Sequence, residues 1–204
     1  MIKVALILAF LALPFAALAG DLTVSVRDNQ GRPVRDAVVT IHPAAGARAP
    51  VRFSWPLRVS QQDMQFQPYV LIAPVGQAVS FPNLDRVRHH VYSFSRGNRF
   101  DIELYGRDET RSHVFRTPGV VAIGCNIHDA MLAYIRVVDT PYAAKTGANG
   151  DVVISGIPAG AASLKLWHPN LNVRGNELAR QITVASGPGR HTLAGDFNGR
   201  LSVR

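Results

Sequence analysis

Short runs of alternating apolar and polar residues, separated by turns rich in glycine, proline and asparagine, recur along this chain. In residues 21–27, Leu22, Val24 and Val26 fall on one side, the period of a half-buried strand. A polar turn over 28–33 leads to a second run, 37–41, and the two predict an antiparallel pair. Residues 69–73 and 78–81 predict two further strands around the turn Pro74-Val75-Gly76-Gln77. Residues 88–95 read as a strand from their valine, tyrosine and phenylalanine content. Phe100, Ile102 and Leu104 share one side of the next. Residues 111–115 are short and strand-like, Pro118-Gly119 sets a bend, and the apolar run 120–123 is followed by another strand over 131–138. Toward the C-terminus, 152–154 and 162–169 alternate again. No stretch after the first 20 residues shows the spacing of an amphipathic helix, so the pattern predicts an all-β protein with no room for crossover helices.

The ends of the chain differ in character from its middle. Residues 21–41, and the strand, Pro-Gly turn and strand over 152–169, resemble the opening and closing halves of carboxypeptidase regulatory-like modules. Those are small transthyretin-like or immunoglobulin-like β-sandwiches. The resemblance implies a discontinuous sandwich from 20–43 and 143–204, with a second unit over 60–138 inserted between its strands. Insertion is tolerated where the termini of the inserted unit lie close together. Tandem domains and one extended sandwich are the alternatives.

Composition and charge narrow the setting. The first 19 residues carry a basic start at Lys3, an apolar run and the small-residue pattern Ala17-Leu18-Ala19. They read as a cleaved secretory signal peptide, too short for a bilayer span, and predict a periplasmic protein with no transmembrane segment after cleavage. Lys3 is the only charged side chain among them, so their removal takes the formal net charge from +8 to +7. The basic excess is scattered as single arginines without an aromatic-interleaved stripe, which argues against a nucleic-acid surface. The chain has one cysteine, Cys125. In an oxidising compartment a lone cysteine cannot staple the fold, which leaves an intermolecular partner, a buried bystander or a metal ligand.

Its neighbours favour the metal. Gly124-Cys125-Asn126-Ile127-His128-Asp129-Ala130-Met131 gathers a thiolate, an imidazole and a thioether in one turn, the donor set that suits copper. A second imidazole would come from Arg88-His89-His90-Val91. Phe81-Pro82-Asn83 to His89-His90-Val91, together with Pro118-Gly119 to Met131, resembles the cupredoxins, plastocyanin-like proteins that include periplasmic ones labelled methylamine utilisation proteins. Over about residues 64–138 the resemblance implies a Greek-key β-sandwich holding one type 1 copper through His89, Cys125, His128 and Met131. His90 stands where the family commonly has asparagine. On a regular strand it faces away from His89, so it either ties the ligand loops together or meets solvent; His89 is preferred as ligand, and the choice stays open. Met131 has a plain alternative as a core residue, Met64 is a weak substitute, and zinc also accepts one thiolate and two imidazoles. Asn83 and Asn126 are expected around the ligands, bonding across the site or to the cysteine sulfur. Asp85 and Asp129 are read as loop residues rather than ligands.

The resemblance implies an exported one-electron carrier that meets a redox protein partner. Copper storage, delivery or resistance without electron transfer is the second reading, and a structural or ligand-binding β module of the cell envelope the third. Enzymatic activity is not expected: Cys125-Asn126-Ile127-His128 lacks the second cysteine of a haem attachment motif, and Ser93 and Ser95 have no acid partner indicated. The sequence names neither the redox partner nor an oligomeric state.

Overall fold

A computed structural model of the chain describes residues 19–47 and 49–197. The predicted signal peptide therefore lies outside the described residues except for Ala19. Among the described residues, sixteen strands and one 3-10 turn, Arg174–Asn176, account for the regular structure, and no helix is long and apolar enough to cross a membrane.

The strands from the two ends of the chain share two sheets. β1 (Ala19–Asp28) lies between β13 (Asp151–Pro158), antiparallel to it, and β16 (Pro188–Gly195), parallel to it. β2 (Val38–Pro43), β12 (Ala143–Lys145), β14 (Gly160–Trp167) and β15 (Glu177–Val184) form the second, in the order β12-β2-β14-β15. Alternation does what the sequence predicts: Leu22, Val24 and Val26 of β1 point into one core with Val39, Ile41, Leu164 and Leu166.

The middle of the chain builds a second core. Its main sheet runs β5-β11-β10-β7-β8, with β5 (Val70–Pro74), β7 (His89–Ser93), β8 (Phe100–Tyr105), β10 (Gly119–Gly124) and β11 (Leu132–Val138). Two antiparallel ribbons complete it, β3 (Ser60–Gln62) with β4 (Gln65–Gln67), and β6 (Ala78–Pro82) with β9 (Thr110–Val114). Phe81, Phe115, Val91, Ile123 and Ile135 fill the space between them. A third apolar cluster, with Val38, Val70, Ile72, Val138 and Trp167 at its centre, joins the two cores.

Five strands escape the periodicity analysis. β15 is the edge of its sheet and mostly exposed, so it carries no apolar period, and β16 is nowhere fully buried. β12 is three residues long, and the β3–β4 hairpin is polar apart from Phe66. Each is held by pairing with a stronger neighbour or by long-range contacts that a local pattern does not encode.

Candidate metal centre

β10 and β11 form an antiparallel hairpin whose loop, residues 125–131, carries the predicted ligands. Cys125 and Met131 therefore lie just outside the strands rather than on them. A backbone bond from Met131 N–H to the His128 carbonyl, 2.9 Å, closes the loop. It brings His128 back over Cys125, with His128 Nδ1 3.8 Å from the sulfur.

The second imidazole arrives from β7. Burial alternates along that strand, with His89, Val91 and Ser93 inward and His90 and Tyr92 outward. His89 is fully buried, its Nδ1 3.9 Å from Cys125 Sγ, and the two histidine rings meet edge-on with centroids 5.0 Å apart. One donor atom from each of His89, Cys125 and His128 lies within 4.8 Å of the others, a group able to hold a metal ion. His128 is half-buried, and Asn126, Ile127 and Asp129 around it are exposed. Met131 is 2% exposed and packs in the same core cluster as Cys125. His90 Nε2 instead meets Asp101 Oδ1 at 2.6 Å on the outer face.

Asp85, read from sequence as a loop residue, touches the centre. Its Oδ2 lies 2.7 Å from His89 Nε2, while the Asp63 and Met64 N–H groups donate to Oδ1 and Oδ2 at 2.7 and 3.0 Å. Partial burial works to raise the Asp85 carboxyl, but the Met64 N–H, His89 and the Asp63 N–H outweigh it and hold the group below the usual carboxylate range. Where Nε2 donates to that carboxylate, the neutral ring keeps the Nδ1 lone pair toward Cys125. The one clue in the sequence is an acid four residues before the first histidine.

Asn83 braces the same loop. Fully buried, it donates both amide hydrogens, to the Val87 and Tyr105 carbonyls, and its Oδ1 accepts from Asp85 N–H at 2.9 Å. Tyr105, register partner of His89, donates to the Phe81 carbonyl and accepts from Gln61. Burial pushes its phenol up to about 12, so it stays protonated and uncharged.

No protein-family model matches the chain, and no curated protein matches it. Among solved structures it is similar to a copper-containing nitrite reductase from Thermus scotoductus, at 28% identity over 45% of this chain and 25% of that one, TM-score 0.40. It is also similar to a purple cupredoxin from Nitrosopumilus maritimus, at 22% identity over 40% of this chain and 98% of that one, TM-score 0.36. A reduced amicyanin mutant matches at 17% identity over 50% of this chain and 99% of that one, TM-score 0.38. The chain thus spans a quarter of the reductase's length and nearly all of the two smaller proteins'.

Proposed function

We propose that His89, Cys125 and His128 hold one copper ion with Met131 as a weak fourth donor, and that the protein is a periplasmic one-electron carrier rather than an enzyme. The observation that carries this reading is a buried cysteine sulfur with an imidazole nitrogen on either side, at 3.9 and 3.8 Å. With metal–sulfur and metal–nitrogen bonds of about 2.3 and 2.0 Å, one ion between them separates sulfur from nitrogen by roughly 3.5 to 3.7 Å. One ion can therefore reach all three donors with a small adjustment, and a cysteine sulfur, two imidazoles and a thioether are the donor set that suits copper. Bound there, copper supplies one-electron chemistry. Asp85 and the closed 125–131 loop keep the donors in place, and burial of His89 and Cys125 keeps bulk water from the sulfur. Fixed donors minimise rearrangement between oxidation states, which suits a carrier better than a store. His128, the half-buried ligand, marks the edge where a one-electron partner protein would approach.

The partition of strands supports a further part of the reading, a cupredoxin-like unit from the middle of the chain inserted in a regulatory-like sandwich built from 20–43 and 143–204. Addition of one equivalent of Cu(II) to the purified protein tests the function. The expected result is stoichiometric binding, an intense visible thiolate-to-copper band and a reversible redox couple. Copper binding without the band or the couple overturns the carrier, and rapid loss of copper to a chelator points to storage or delivery.

A further inference from the structure

The β3–β4 hairpin turns through Asp63 and Met64, with φ of 55° and 54°. A two-residue hairpin turn with both central residues left-handed is the type I′ turn, which strongly prefers Asn-Gly or Asp-Gly because a side chain is strained at the second position. Methionine stands there, 55% exposed, so packing does not select it. Such strain persists where surrounding contacts over-determine the conformation. Here the contacts are those of Asp85. The turn aims two successive N–H groups at its carboxylate, and Leu84 N–H bonds the Gln61 carbonyl at 2.9 Å, tying the hairpin to the loop that carries Asp85. From that carboxylate the chain of bonds continues to His89 Nε2.

We propose that the β3–β4 hairpin is a positioning arm of the metal centre: its strained turn grips Asp85, and Asp85 holds His89 in the tautomer that presents Nδ1 beside Cys125. Asp63 and Met64 act through their backbone and Asp85 through His89; none of the three is a metal ligand. The consequence for metal binding rests on the copper reading, but the tautomer does not, because the grip is made by protein groups alone.

Nitrogen-15 spectra of the histidine rings in the metal-free protein, with Cu(II) titration of the same samples, test the proposal. In the unaltered chain His89 is expected as the Nε2–H tautomer. Asp85→Ala is expected to mix the tautomers and weaken copper binding by about 10- to 100-fold, the usual cost of losing a carboxylate behind a ligating histidine. Met64→Val, whose branched side chain resists positive φ, moves in the same direction by a smaller factor. Asp63→Asn with Met64→Gly keeps both N–H groups and should leave tautomer and affinity unchanged. Thermal melting of each metal-free variant checks folding. If Asp85→Ala fails to fold, Asp85→Leu, which fills the space and offers His89 Nε2 no acceptor, takes its place. An unmixed Nε2–H tautomer and unchanged affinity in the Asp85 variant overturn the inference while leaving copper binding intact. If the unaltered protein shows no thiolate–copper band, the function fails instead, and the metal-free tautomer still decides the role of the hairpin.

Discussion

The Tyr92 ring lies against the backbone of Gly124, its register partner across β7 and β10; a β-carbon at position 124 would stand 3.1 Å from both the ring and its hydroxyl oxygen. A side chain immediately before Cys125 would thus require the Tyr92 ring to shift by a few tenths of an ångström, while no unusual backbone angle reserves the position for glycine. Gly124→Val is expected to cost about 1–3 kcal/mol through overpacking, read by chemical denaturation of the metal-free protein. Combining it with Tyr92→Ala should recover part of the loss, and simple additivity of the two would show that the contact does not limit position 124.

The two adjacent histidines should separate cleanly. His89→Ala removes a buried donor of the cluster and is expected to abolish the visible copper band, whereas His90→Ala breaks a contact with the largely exposed Asp101 and a ring contact with Tyr92, both outside the cluster, and should retain it. Stability should change by less than about 1 kcal/mol in the His90 variant. Copper titration followed optically, with the reverse pattern, would reassign the ligand.

His168 gives the protein an acid-sensitive joint. Burial presses its pKa down to about 4 against the opposing pull of Asp36 and a bond to the Arg35 backbone, and its Nδ1 accepts from Asn170 N–H, which requires a free lone pair. The folded state therefore binds fewer protons than the unfolded one. Stability is complete above the ordinary histidine pKa near 6.5, falls as pH drops from there to about 4, and levels off below, by on the order of 3 kcal/mol at most. Denaturation midpoints between pH 7 and 4 should show this slope, reduced in His168→Asn.

Trp167 joins the two cores. It is 2% exposed, meets Tyr134 edge-on at 5.5 Å and packs with Val38, Val70, Ile72 and Val138. Trp167→Ala is expected to cost about 3–5 kcal/mol. Because the lost contacts lie between two cores, unfolding should separate into two steps in calorimetry. A single transition with little loss would show that the junction contributes less than its burial implies.

Much of the architecture is legible locally. Leu22, Val24 and Val26 alternate because one face of β1 is buried, and the same period places His89 inward and His90 outward on β7. β15 and the β3–β4 hairpin are not legible this way, since edge strands and polar turns are held by partners distant in sequence. The role of Asp85 follows the same logic: an aspartate in a loop reads as a solvated turn residue until the hairpin 21 and 22 positions upstream supplies its two N–H donors.

What the sequence determined by itself was the chemistry of the loop: a lone cysteine, a histidine three residues on and a methionine after that, donors whose spacing lets one tight loop carry them all. Tertiary structure decided which imidazole joins them and which of its nitrogens faces the sulfur. Both depend on the alternation of β7 against a buried sheet and on a hydrogen-bond chain from the β3–β4 turn through Asp85, contacts that exist only once strands far apart in sequence are packed together.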